Sequence, residues 1–237
     1  MSAELRPPNR LLANLSPDDF DLVKSHLRTA ELTSGTELAA AGNDLLDASF
    51  PNTGVISLVV RLADGETTEI AMIGRDSVFG ASAALVGPTA LTTAIVQSPG
   101  AFSTIPIRRL QAAVDQSKTF RTILTRHEQA IFVQARQSAG CLVSHTAFAR
   151  LARWLLRARD AAGTDELQFT QEFLGQMIGV KRNAVSQVAN MLQEKGLIRF
   201  NRGHIQIIDV PRLKAQACEC YETVRNELDQ LKRSGLT

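Results

Sequence analysis

Arg182, Asn183, Ser186 and Gln187 recur along one segment of the chain, and their side chains are the types that hydrogen-bond nucleic-acid base edges. Arginine pairs with guanine, asparagine or glutamine with adenine, and serine with either. The same segment carries Val185, Val188, Ala189 and Leu192 at helical spacing. That apolar stripe must turn inward, so the polar residues, with Asn190, turn elsewhere. Taken alone, such a face is also what a solvated bundle helix shows. Its neighbours in sequence argue for groove chemistry.

The helix that carries this face is predicted from about Lys181 to Lys195, with Gly196 ending it. A shorter helix precedes it. Thr170 can cap that helix, Phe173, Leu174, Met177 and Ile178 give it one apolar face, and Gly179 follows where a residue tolerant of positive φ is needed. After Leu197 and Ile198, Arg199–Asn201 and His204–Ile208 read as short strands around an Asn201-Arg202-Gly203 turn. A helix-turn-helix followed by a basic-tipped hairpin is a winged helix, and the wing of such a domain touches phosphate.

The rest of the chain must position this head. At 237 residues, 44% hydrophobic and 21% charged, it has the composition of a soluble globular protein with one large or two ordinary domains. No apolar run approaches the roughly 18 residues of a membrane helix, and MSAELRPPNR lacks the apolar core of a signal peptide, so a cytoplasmic protein with no membrane partner is expected. The net charge of +2 is unevenly spread. Residues 1–118 hold 9 basic against 13 acidic residues, residues 119–144 hold 3 against 1, and residues 145–237 hold 14 against 10. An acidic front and a basic back fit a sensor joined to a binder of polyanions.

Three cysteines, Cys141, Cys218 and Cys220, are too few and too oddly spaced for a disulfide framework or a four-cysteine zinc site. The pair Cys218-x-Cys220 could in principle bind a metal or respond to oxidant, but on one helix the two positions point about 200° apart, so the thiols cannot easily share an ion. The histidines His26, His127, His145 and His204 are scattered without Cys, Asp or Glu at ligand spacing. Structural thiols and no metal are therefore expected.

Ser16-Pro17-Asp18-Asp19 starts a small helix behind Leu11, Leu12 and Leu15, with a capping serine, a first-position proline and an acidic first turn. From about Arg28 to Ile105 the chain changes to short strands, ELTSGTEL, SFPNTGVISLVVRL, ETTEIAMI, ALTTAIVQ and GAFSTI, with a hairpin turn at Ala63-Asp64-Gly65. Such a run predicts an antiparallel sandwich or roll. Pro106–Val114 reads as a short helix, and a long one of about 25 residues starts near Thr119. Its stripe of Phe120, Ile123, Leu124, Ile131 and Leu142, interleaved with His127, Gln134 and Ser138, could simply face a core, but its length and the lack of a third core to cover it favour a dimer seam. Gly140 and Ser144-His145-Thr146 read as the hinge. Phe148, Leu151, Ala152, Leu155 and Leu156 then open the next domain around a packed Trp154. Asp209 and Pro211 start a last helix, read as continuous through Leu231 with an apolar stripe at Leu213, Ala217, Tyr221, Val224 and Leu228.

Over about residues 9–210 this order resembles the Crp/Fnr family of bacterial transcription regulators. The resemblance is carried by Val55–Leu62 with Asp64-Gly65, Met72-Ile73-Gly74-Arg75-Asp76 before Phe79-Gly80, Arg150-Leu151-Ala152, and Thr170-Gln171-Glu172 through Gly196-Leu197-Ile198. It implies an α+β chain: an N-terminal antiparallel β-roll of the cyclic-nucleotide-binding type (a double-stranded β-helix) over 9–118, a dimerisation helix and hinge over 119–144, a winged helix-turn-helix over 145–210 and a C-terminal helix over 211–237. It further implies a homodimer on a palindromic operator in double-stranded DNA, with RNA polymerase as a partner of any activator. By the resemblance Arg182, Asn183, Ser186 and Gln187 occupy base-reading positions. Gln171 and Arg202 are expected on the DNA backbone, with Lys181 beside them. Founding members of the family carry glutamate where this chain has Asn183 and arginine where it has Gln187, so the preferred half-site should differ from theirs.

The roll departs further. Cyclic-nucleotide-binding members place a glutamate after the glycine and an arginine some ten residues on; here Gly80 is followed by Ala81-Ser82, and Leu91-Thr92-Thr93-Ala94 stands at the second place. Cyclic AMP is therefore not expected as effector, because its buried phosphate would lack a cation. The family's N-terminal iron–sulfur cysteines are absent and no haem ligand stands out, so any small-molecule effector is unidentified. A catalytic constellation is not visible either, which argues against an enzyme built on the same roll. An interaction module that dimerises without binding DNA is the other rival.

Overall fold

The computed structural model describes residues 7–63 and 65–233. Asp64, the middle of the expected hairpin turn, lies outside the described residues, but the hairpin around it closes with Leu62 N–H donating to Glu66 O at 2.8 Å. By internal contacts the chain forms two compact units. One runs to Leu58 and resumes from Ile73 to Gln129; the other joins Val59–Met72 to the chain from Ala130 onward.

The first unit opens with α1 (Arg10–Ala13), capped by Asn9, and α2 (Pro17–Lys24), capped by Ser16, whose Oγ accepts from Asp19 N–H at 3.1 Å. Asn9 is fully buried because each face of its amide has a partner: Oδ1 accepts from Leu12 N–H, and Nδ2 donates to Pro51 O at 2.8 Å and Ser77 O at 3.0 Å. Strands β1 (Arg28–Leu32), β2 (Glu37–Ala39), β3 (Asp47–Pro51), β4 (Val55–Arg61), β5 (Thr67–Ile73), β6 (Thr93–Ser98) and β7 (Gly100–Pro106) follow along the chain, with the short helix α3 (Ala81–Leu85) before β6; the end of β4 and nearly all of β5 fall in the second unit. They pair into a three-stranded antiparallel sheet, β1-β7-β3, and a four-stranded sheet, β2-β6-β4-β5. Two stretches that read as single strands are each divided: the turn at Thr33–Thr36 separates β1 from β2, and Asn52–Gly54 separates β3 from β4. Phe50, Val55, Ile56, Val96, Phe102 and Ile105 are wholly buried, so the apolar pattern that predicted the roll also fills it.

Helix α4 (Ile107–Gln116) leads into α5 (Lys118–Ser144), a single helix of 27 residues. Gly140 stays helical within α5. The break comes at Ser144–Thr146, where Thr146 Oγ1 accepts Ala149 N–H and starts α6 (Ala147–Ala162). A glycine lowers helix stability by only about 1 kcal/mol, whereas a capping threonine gives the chain an alternative to continuing the helix.

The stripe read as a dimer seam is largely covered by the chain itself. Phe120 and Leu124 are wholly buried, and His127 Nε2 lies 2.5 Å from Ser77 Oγ and accepts Val78 N–H at 3.3 Å. Further along, Gln134 Oε1 accepts from Met72 N–H at 3.2 Å and Arg157 Nη2 at 2.9 Å, and Ser138 Oγ donates to Ile70 O at 3.0 Å. Ile123 and Ile131 are half-buried. The apolar side chains that α5 leaves in solvent are Phe132, 66% exposed, and Val143, 89% exposed. They share a side of the helix about 120–140° round from Phe120 and Ser138.

In the second unit α6 is followed by β8 (Glu166–Gln168), α7 (Gln171–Ile178), α8 (Arg182–Glu194), β9 (Ile198–Asn201) and β10 (His204–Ile207). Strand β8 was not foreseen; three residues of alternating pattern are too short to signal a strand, and its pairing with His204–Gln206 is what fixes it. The sheet order is β8-β10-β9. Trp154 is wholly buried, edge-on to Phe169 at 4.9 Å and to Phe173 at 6.2 Å, and donates Nε1–H to Glu69 at 2.7 Å. The last helix is two, α9 (Val210–Gln216) and α10 (Cys220–Arg233), with Asp209 capping the first as expected. Ala217 is extended (φ −72°, ψ 154°), and the bend lets Cys218 and Cys220 both bury beside Cys141, which a straight helix would forbid.

Among the described residues, no helix is long and apolar enough to cross a membrane.

Candidate nucleic-acid interface

Thr170 Oγ1 accepts Phe173 N–H at 3.1 Å and so starts α7 where the sequence placed it. Gly179 ends it at φ +65°, a left-handed conformation that costs a residue with a Cβ. Gly175 matters for a different reason. A Cβ there would lie 2.6 Å from Val180 O, and Val180 N–H donates back to Gly175 O at 2.9 Å, so the turn closes on α7 only over a bare backbone. A glycine inside an apolar-periodic helix was the available signal for this.

Helix α8 begins one residue later than expected, with Lys181 at its N-cap position and no side chain capping the first turn. Its first N–H groups are thus left for solvent or for a phosphate oxygen. Val185, Val188, Ala189 and Leu192 are buried, and Lys181, Arg182, Asn183, Gln187 and Asn190 are exposed. The expected division of faces is therefore present.

Ser186 differs from these exposed residues. It is half-buried and donates its hydroxyl to Gln171 Oε1 at 2.8 Å, bracing α8 against the start of α7. In that arrangement Ser186 offers a base only its lone pairs, and Gln171 keeps its amide N–H groups for a phosphate. Two residues read as independent contacts are one coupled pair.

The wing places Arg202 (φ +47°) and Gly203 (φ +85°) at the two centre positions of a tight hairpin turn, between the paired Asn201 and His204. The Arg202 side chain is exposed at the tip. Phe169 N–H donates to Gly203 O at 2.7 Å, Gln193 Oε1 accepts Phe200 N–H at 2.8 Å, and Arg212 Nη2 donates to Lys195 O at 3.0 Å. These bonds tie the wing and the end of α8 to the body of the domain, so Lys181, Arg182 and Arg202 are cations on a braced surface.

In the first unit the residues at the expected effector positions are uncharged. Ala81 is wholly buried behind Gly80, Thr92 is half-buried and Leu91 is 77% exposed.

Sequence spacing did not anticipate what happens at the end of α5. Cys141, His145, Cys218 and Cys220 converge, their ligand atoms all within 4.8 Å of one another. Cys141 Sγ is 3.5 Å from Cys218 Sγ, and Cys220 Sγ is 3.5 Å from His145 Nδ1. Hydrogen bonding from Cys218 holds the Cys141 thiol down at about 5, helped by the charge of Arg153 against the opposing effect of burial. The same shared proton and burial push Cys218 up, and burial pushes Cys220 up. His145 is raised, first by its hydrogen bond with Cys141 and then by the Glu219 charge. Cys218 and Cys220 do not diverge by the expected angle of about 200°, because Cys218 lies in the α9–α10 bend.

Residues 149–216 match the family model of the Crp-like helix-turn-helix domain. No curated protein sequence matches the chain. Among solved structures, a regulator from Eubacterium rectale described as of the Crp/Fnr family is 20% identical, with a TM-score of 0.66 over 87% of this chain and 96% of its own. FixK2 from Bradyrhizobium japonicum is 17% identical, with a TM-score of 0.69 over 81% and 98%. The c-di-GMP-responsive global regulator CLP from Xanthomonas campestris is 14% identical, with a TM-score of 0.65 over 82% and 100%. At such identities these likenesses establish the fold, and the match to residues 149–216 establishes the kind of domain that ends it.

Proposed function

We infer that this chain, a Crp/Fnr-type transcription regulator with a helix-turn-helix DNA-binding domain, binds a palindromic operator as a homodimer and answers to an effector other than cyclic AMP. The observation that carries the reading is the exposed row Arg182, Asn183 and Gln187 on α8, set opposite a fully buried apolar stripe and followed by a wing with Arg202 at its tip. With α8 in the major groove, Arg182 faces a guanine, Asn183 and Gln187 face adenines, and Lys181, Gln171 and Arg202 hold the phosphates. Because Ser186 donates to Gln171, it sets the angle of α8 and contributes little base preference of its own.

Dimerisation is assigned to the side of α5 that carries Phe132 and Val143, the side this chain leaves uncovered. A two-fold pair of long helices meeting there would present two α8 helices to successive major grooves, one helical turn apart. The expected seam residues Phe120, Leu124, His127, Gln134 and Ser138 instead stiffen the chain beneath that seam.

Ala81, Leu91 and Thr92 supply neither a carboxylate for a ribose hydroxyl nor a cation for a phosphate, which supports an effector of other chemistry. The Xanthomonas relative that shares the fold is responsive to c-di-GMP. An RNA polymerase contact follows wherever the operator lies at an activating position.

Selection of duplexes from a random pool by the full chain tests the reading. Enriched sites with inverted repeats, bound with an affinity that falls steeply as salt rises, are expected. Enrichment without a shared sequence would leave the dimeric interaction module as the better account.

A further inference from the structure

We propose that Cys141, His145, Cys218 and Cys220 form a tetrahedral binding site for one thiophilic divalent ion, zinc being the best fit. All three cysteines of the 237-residue chain meet at this point, together with one of its four histidines. Cys141 sits on the last turn of α5, and His145 one turn later, its N–H still donating to Cys141 O at 3.1 Å. Cys218 and Cys220 come from the other side, flanking Glu219 in the bend between α9 and α10.

The geometry is that of a mononuclear site. Zinc–sulfur bonds of about 2.3 Å around a tetrahedron set neighbouring ligand atoms about 3.8 Å apart. Two of the separations here are 3.5 Å and none exceeds 4.8 Å, so the widest need close by only about an ångström, shared between two side chains. A three-cysteine, one-histidine set without a carboxylate is a soft donor set, which selects zinc over magnesium or calcium.

The surroundings supply what a ligand set needs. His145 presents Nδ1 to the thiols, while its Nε2 lies 3.1 Å from the Glu219 carboxylate, the outer partner that orients metal-bound histidines. Gln137 Nε2 donates to Cys220 Sγ at 3.1 Å, a hydrogen bond that stabilises a coordinated thiolate. Three thiolates and a neutral imidazole around a divalent ion leave one negative charge, and the Arg153 guanidinium acts on Cys141 through its opposite charge. The cysteines are buried and His145 is partly exposed, which gives an ion a way in. Binding releases up to three protons to solvent, one from each thiol that enters as the neutral form, and involves no change of oxidation state. The bound ion would tie the end of α5 to the α9–α10 bend beside the start of α6.

The test uses the full chain, purified under reducing conditions, stripped with a chelator and titrated with Co²⁺. One equivalent should give tetrahedral d–d absorption with thiolate-to-cobalt charge transfer, displaced by one equivalent of Zn²⁺. All three thiols should then resist a disulfide reagent until chelator is added. Glu219→Gln, at the exposed edge, should weaken cobalt binding about 10-fold or more. His145→Ala should weaken it further and change the charge-transfer spectrum, and it keeps the test valid should Cys141→Ser fail to fold. Absence of charge transfer with three freely reactive thiols would overturn the site. So would a Cys141–Cys218 disulfide as the only product with no metal taken up, or cobalt binding indifferent to both His145→Ala and Cys220→Ser.

Discussion

The winged helix and the β-roll of this chain differ in what each has kept. The winged helix presents exposed Arg182, Asn183 and Gln187 and a cationic wing tip on a braced helix pair, of which α7 alone has a side-chain cap. The roll retains its frame, with Phe50, Ile56, Val96 and Phe102 wholly buried, while uncharged residues stand where cyclic-nucleotide-binding relatives place a glutamate and an arginine. A fold is held by many interchangeable apolar contacts, whereas a ligand is recognised by a few charges.

Four experiments sharpen the contrast. Trp154→Ala should have the largest effect, a loss of about 3–5 kcal/mol in urea unfolding, because it empties the centre of the cluster with Phe169 and Phe173. Trp154→Phe should cost less, since it keeps most of the ring volume and loses mainly the Nε1–H bond to buried Glu69. Arg182→Ala should leave stability unchanged and cost about 1–3 kcal/mol of binding to the selected operator, with relaxed base preference, as read by fluorescence anisotropy. If affinity for the best site did not move, α8 would not be the reader. Thr170→Ala should cost about 1 kcal/mol of stability through the lost cap on α7, measured by denaturant midpoint at constant slope. At the small end, saturating cyclic AMP should leave the melting temperature where it was. Binding at 100 times its dissociation constant would add about 2.7 kcal/mol, so a clear upward shift would restore the roll to the nucleotide-sensing class.

Much of this was legible in the sequence because it is local. Thr170, Gly179, Gly196 and Asp209 each act within three or four residues of themselves, and the faces of α8 follow from helical period alone. What was not legible depends on residues far apart. The stripe on α5 has the period of a seam, but whether it meets a partner or its own chain rests on contacts such as Gln134 with Met72 and Ser138 with Ile70, some 60–70 positions away. Strand β8 exists because β10 pairs with it. Cys141 and Cys218 meet across 77 positions, through a bend at Ala217 that no glycine or proline announces. Ser186 and Gln171 show the same limit within one domain: their residue types are plain in the sequence, and their hydrogen bond to each other is not.

The central claim, that α8 reads DNA as one half of a two-fold pair, is tested most directly by a hydroxyl-radical footprint of the full chain on its selected duplex. Two equally protected half-sites, related by inversion and centred about 10 base pairs apart, are predicted. A single protected half-site, or protection without a fixed register, would contradict it.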